Sequence, residues 1–166
     1  MRSILAELEA LDREIASLYD HHPNKELLQS LPGVAETLGP VLAAELGTDI
    51  TRFVNLRGLK AFAGTCPVTV QSGKHRSVHI RRACNQHLRQ ALHMASLVAV
   101  RTAPWVRELF DRLRNEGKSY GRALRAVGEQ LLEILYVLLK RRTLYDEGYH
   151  MRMKALHGRG CSESLT

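Results

Sequence analysis

At 166 residues, 45% of them apolar, the chain is long enough to bury a core of its own, so disorder is not its default state. Aromatic residues make up only 5%, which argues against a single-strand binder built on base stacking; no apolar run approaches the ~18–20 residues of a membrane span, and three cysteines without a CxxC pair give no zinc signature and suit a reducing cytosol. A net charge of +7 and a pI near 9.7 favour a polyanionic partner, nucleic acid first.

The N-terminal residues 1–22 predict a coiled-coil-like helix, because Ile4, Leu8, Leu11, Ile15 and Leu18 recur at steps of four and three. One narrow apolar seam needs a partner, either another copy or the body of the domain. His21-His22-Pro23-Asn24 breaks the helix. From Lys25 to Gly47 the pattern is helix, tight turn, helix, with Leu31-Pro32-Gly33-Val34-Ala35 as the turn and Gly47 as the stop. This is the form of a helix-hairpin-helix, in which Gly33 and Val34 offer backbone N–H groups to a phosphate at a helix N-terminus. The alternative is a plain turn that packs Leu31 and Val34 into the core; the usual motif has glycine where Ala35 stands. A short helix follows over Asn55–Ala63, ended by Gly64.

Charge then becomes one-sided. Between Asp49 and Glu108 there is no acid, while Arg52, Arg57, Lys60, Lys74, Arg76, Arg81, Arg82, Arg89, Arg101 and Arg107 fall in that interval. A surface shaped only for solubility mixes both signs. Within the interval, Cys66 to Ile80 is rich in β-branched residues partly alternating with polar ones, and Ser72-Gly73-Lys74 makes a turn, which predicts an irregular hairpin or ordered loop.

Ser72 is the candidate nucleophile. A hydroxyl attacks phosphorus when its proton is removed and the developing charge is met by cations; Lys74, His75 and Arg76 flank the serine, and Gly73 lets a backbone approach closely. Taken alone, a Ser-Gly turn is ordinarily just a turn. Arg81, Arg82, Asn85 and Arg89 stand at the start of the next helix, about residues 82–101, and form a second candidate set. Arginine forks suit phosphate, and cations at a helix N-terminus oppose the dipole unless an anion sits there; the alternative is a solvated basic helix end.

A helix from Pro104 ends at Glu116-Gly117, a long one runs over about Tyr120–Tyr145, and residues 151–166 read as a flexible tail. His75 and His79 lie four apart in an extended stretch without nearby carboxylates, and the pairs Glu108/Asp111 and Glu129/Glu133 look like surface positions, so no metal site is expected in this chain. The expected fold is mainly α: residues 1–22 a coiled-coil-like helix, 25–150 a helix-hairpin-helix domain with a hairpin or loop carrying Ser72 and a closing helical bundle.

Leu31-Pro32-Gly33-Val34, Phe53, Leu59-Lys60-Ala61-Phe62-Ala63-Gly64, Pro67, Ser72-Gly73 and Asn85 with Leu88-Arg89 occur in an order and at spacings that resemble one family. Over about residues 25–110 the chain is similar to the C-terminal transposase domain of the IS110 (IS116/IS902) group of insertion sequences. The resemblance implies a DNA recombinase with an N-terminal RuvC-like domain holding a four-acid Mg²⁺ site, a coiled coil and this serine-bearing domain. Ser72 matches the serine that becomes joined to a DNA phosphate, a non-coding bridge RNA guides recognition, and the proteins act as oligomers. Cys84 stands where glycine is usual, Arg82 where lysine is usual, and Ala35 again departs from glycine.

The resulting expectation is a DNA-binding domain that contributes Ser72 to strand cleavage and transfer, with DNA contacts from Gly33, Val34, Gly73, Lys74, Arg76, Arg81, Arg82, Asn85 and Arg89. The chain is expected to bind no cofactor itself, with Mg²⁺ in an acidic domain outside this sequence, and to be inactive without that domain. It is expected to be cytoplasmic, free of membrane, and a homo-oligomer through its N-terminal helix, with bridge RNA a partner of the full-length protein. The alternative is a non-catalytic helix-hairpin-helix module for DNA binding or dimerisation, a transposase remnant.

Overall fold

A computed structural model describes residues 2–73 and 75–160. The architecture is mainly α, as expected: α1 (Arg2–Asp20), α2 (Lys25–Ser30), α3 (Leu38–Leu46), a 3-10 turn (Ile50–Arg52), α4 (Leu56–Ala63), strands β1 (Val68–Ser72) and β2 (His75–His79), then α5 (Gln86–Thr102), α6 (Pro104–Asn115), α7 (Tyr120–Arg141) and α8 (Glu147–Gly160). Among the described residues, no helix is long and apolar enough to cross a membrane.

The core is built around α5 and α7. Leu88, Leu92, Ala95 and Ala99 repeat at helical spacing along α5, Leu124, Val127, Leu131 and Leu135 along α7, and all of them are buried. Burying each leucine stabilises the fold by roughly 1.5–3 kcal/mol. Small residues set how close the helices come. A β-carbon at Gly128 of α7 would lie 3.0 Å from the Ser96 hydroxyl of α5, which is itself fully buried and donates to the Leu92 carbonyl at 2.6 Å. On another side of α5, the turn after α2 presses Gly33 against Ala95 and Ala99.

α1 is docked only at its end. Tyr19 is buried against α3, where Gly39 leaves no room for a methyl beside the phenol ring. The rest of its apolar seam is open: Ile4 is 62% exposed, Leu11 54% and Leu18 69%. The joint to the body is polar. Asn24, 2% exposed, donates to the carbonyls of Gly47 (3.3 Å) and Thr48 (3.2 Å) and accepts from Arg142, which ends α7 in the left-handed conformation at φ 55°.

Two expectations are corrected here. The hairpin is regular: five antiparallel pairs run from Val68 opposite His79 to Ser72 opposite His75. The long helix stops at Arg141 rather than Tyr145, and α8 then occupies most of the predicted flexible tail. Its His150 ring, just before that tail, lies 4.5 Å from the buried Trp105 ring, so an aromatic contact anchors the first turn of α8. Residues 161–166 lie outside the described residues.

Candidate nucleic-acid interface

Ser72 closes β1 and is exposed, directly before Gly73, whose φ of 57° requires the left-handed conformation. A β-carbon at Gly73 would meet nothing within 4 Å, so the tip is open to an approaching molecule. Lys74 lies outside the described residues; Arg76 pairs with Gln71 across the hairpin, and its side chain is likewise outside them. With four residue steps at about 3.3 Å each, Ser72 stands roughly 13 Å out from the hairpin base.

The base meets a concave basic surface. Three adjoining hollows share Ile80 and Arg125, and they run between the chain entering and leaving the hairpin, the start of α5 and the first turns of α7. The two smaller ones measure about 300 and 340 Å³. Arg81, Arg82 and Arg89, the arginines singled out in the sequence, line them, and so do Arg122 and Arg125, which the sequence reading passed over. The overlooked signal was the one used for α5. Arg122 and Arg125 are one turn apart at the start of a helix with no acid in its first turn, where cations oppose the dipole.

These cations differ from the others in their company. Elsewhere, Lys25, Lys60, Arg107 and Arg112 each hold a carboxylate, and at the edge of the first hollow Lys118 holds Glu116. Among the described residues, no carboxylate forms a salt bridge with Arg81, Arg82, Arg122 or Arg125, and the Nε of Arg81 is buried with no hydrogen-bond partner. Arg89 donates only to the neutral amide of Gln86.

Three expected contacts fall elsewhere. Gly33 is half-buried and packs against the bundle: it sits at φ 85° with α5 so close that a β-carbon would come within 2.2 Å of the Ala95 carbonyl oxygen. Val34 is buried, and its N–H donates to the Leu31 carbonyl at 3.2 Å, so the turn is the plain packed alternative. Asn85 is a capping residue. Its Oδ1 accepts from the Leu88 N–H at 2.9 Å, its Nδ2 donates to Glu45 at 2.5 Å, and its backbone N–H donates to the Phe62 carbonyl at 2.8 Å, tying α5 to α3 and α4.

Glu129 and Glu133, read as surface positions, are half-buried and hold Lys60, at 2.9 Å for Glu129. Burial pulls the Lys60 ammonium down, but the hydrogen bonds and charges of Glu133 and Glu129 outweigh it and leave it above the usual lysine value. Arg52 is structural as well, lying 4.6 Å from the centre of the Phe53 ring and donating to the Glu45 carbonyl. Among the described residues, no three His, Cys, Asp or Glu side chains gather as a metal site would need.

Comparison with known proteins adds sequence relatives. A family model described as "Transposase IS116/IS110/IS902 family" matches residues 25–111. The chain is 31% identical over 138 residues to a 43.6 kDa protein of insertion element IS110 from Streptomyces coelicolor, covering 82% of this chain and 34% of that one. It is also 31% identical over 147 residues to a 42 kDa protein of insertion element IS900 from Mycobacterium paratuberculosis, covering 84% and 37% respectively. The chain thus spans about a third of the length of these curated relatives.

Proposed function

Because the chain belongs to the IS116/IS110/IS902 family of transposases, we propose that it is the DNA-handling domain of such an enzyme and that Ser72 is its nucleophile. The observation that carries this reading is the placement of Ser72. Its hydroxyl is exposed at the end of a two-stranded arm, beside a glycine that leaves the approach open. A backbone gripped by the arginines at the arm's base runs past that tip.

In the reaction, the Ser72 oxygen bonds to the scissile phosphorus as the bond from phosphorus to one DNA oxygen breaks. The serine proton is lost and the departing DNA oxygen gains one, so the phosphodiester is conserved as a serine–DNA ester that a second strand later attacks. Cations near the phosphate offset the charge that builds up on its oxygens. The acids and Mg²⁺ of such an enzyme belong to a part of the protein outside this sequence, and guide RNA is a partner of the whole assembly. A second copy pairs along α1, whose seam of Ile4, Leu8, Leu11, Ile15 and Leu18 is exposed.

The test is strand transfer by a full-length transposase of the family carrying this domain, supplied with guide RNA and Mg²⁺, with Ser72 or Ser72→Ala. The reading predicts that the alanine variant binds DNA normally and loses both recombination and the covalent protein–DNA species. Equal recombination by both forms leaves a non-catalytic DNA-binding module instead.

A further inference from the structure

We propose that the basic groove at the hairpin base is a seat for the phosphodiester backbone of duplex DNA, and that Arg122 and Arg125 of α7 are the residues completing it. The inference rests on the DNA reading above and deepens it, because it names a surface on a different helix from the serine arm.

Three observations converge. First, Arg125 lines all three hollows, Arg122 two of them, and Arg82 and Arg89 face them across the widest one, so cations from α5 and α7 border the same space. Second, these arginines are held without counter-ions. Glu129 is the carboxylate that lines the groove, and Lys60 already occupies it at 2.9 Å. Like charges gathered around one space whose carboxylate is already taken repel one another, and two helix N-termini add their positive ends to the same space; an anion relieves both. Third, a buried donor, the Nε of Arg81, has no partner in the protein.

The lining also selects among anionic ligands. Among the described residues no Phe, Tyr or Trp borders any of the three hollows and the rings there are the imidazoles of His79 and His93, so the lining offers many cations and few platforms for bases, which favours contact with a backbone. A groove open along its length, with arginines on both walls, suits a continuous chain of phosphates rather than a single small anion.

The experiment measures binding of the 166-residue chain to a short duplex DNA of arbitrary sequence across a salt series, for the wild type, R122Q/R125Q and R107Q/R112Q. The last pair removes the same charge from α6, where both arginines are already paired with acids. Two lost phosphate contacts make the slope of log K against log salt shallower by about 1.8, and weaken binding on the order of tenfold to a hundredfold at 0.1 M salt. R107Q/R112Q stays near the wild type. Circular dichroism melts of all three confirm an unchanged fold.

Equal losses in the two double variants, or an unchanged slope in R122Q/R125Q, overturn the groove. Preference for an RNA duplex of the same sequence, with the same dependence on Arg122 and Arg125, also overturns the DNA assignment and makes RNA the occupant. Ser72→Ala separates this proposal from the nucleophile. If it still forms the covalent species while R122Q/R125Q weakens binding, the serine reading falls and the groove stands.

Discussion

At the scale of single residues, the same side-chain chemistry serves different ends according to where the fold puts it. Gly33 has the look of a phosphate contact, yet its φ of 85° and its approach to Ala95 and Ala99 make it a packing residue. Gly33→Ala is therefore expected to cost about 1–3 kcal/mol for the backbone conformation alone, with the clash added, and to lower the melting temperature while the charged surface is unchanged. Thermal melts beside a DNA-binding measurement on the folded fraction check it; a stable variant that has lost DNA affinity would restore the phosphate-nest reading.

Lys60 gives a pH-dependent counterpart. Its folded pKa lies above the unfolded lysine value because Glu129 and Glu133 overcome the effect of burial. The folded state thus binds more protons in that window, and stability falls as pH rises past the unfolded value and through the raised one. Below that range the full contribution is present. Lys60→Met is expected to flatten the alkaline fall, read as denaturation midpoints between neutral pH and the lysine range. A wild type and variant with parallel alkaline slopes would show that the triad has no such role. The lysine stood in plain view in the sequence, but its partners are 69 and 73 positions away, a separation that no local pattern encodes.

At the scale of elements, what was legible followed from period and punctuation. The helices over α2 to α7 were found within a few residues because leucines and alanines recur every three or four positions and Gly47, Gly64 and Gly117 end them. Two things were not legible. The hairpin's regular register comes from backbone pairing that its mixed sequence only hints at, and α8 is held by His150 on Trp105, a contact made by tertiary packing. α1 shows the reverse case, in which the sequence pattern outruns the single chain: its seam is present and its faces are bare. If a second copy covers that seam, Leu8→Glu with Ile15→Glu lowers the mass seen by light scattering to that of one chain and leaves the helical domain folded. An unchanged mass would remove α1 as the pairing element.

At the scale of the whole molecule, the excess positive charge resolves into structural and unpaired sets. Arg52, Lys60 and Arg107 of the acid-free stretch are engaged by aromatic rings or carboxylates, while among the described residues Arg81, Arg82, Arg122 and Arg125 border one groove with no carboxylate paired to them. The sequence exposed the first half of that groove through its run of basic residues; the second half comes from α7, roughly forty positions later, and appears only once the bundle closes. The serine arm projects from this surface, so the account joins a grip on the backbone to a reactive tip. The measurement that tests this union most directly is mass spectrometry of the covalent species trapped from the full-length enzyme on DNA. The account predicts a nucleotide esterified to the peptide carrying Ser72, absent in Ser72→Ala. A nucleotide on any other residue, or strand transfer without a protein–DNA ester, would contradict it.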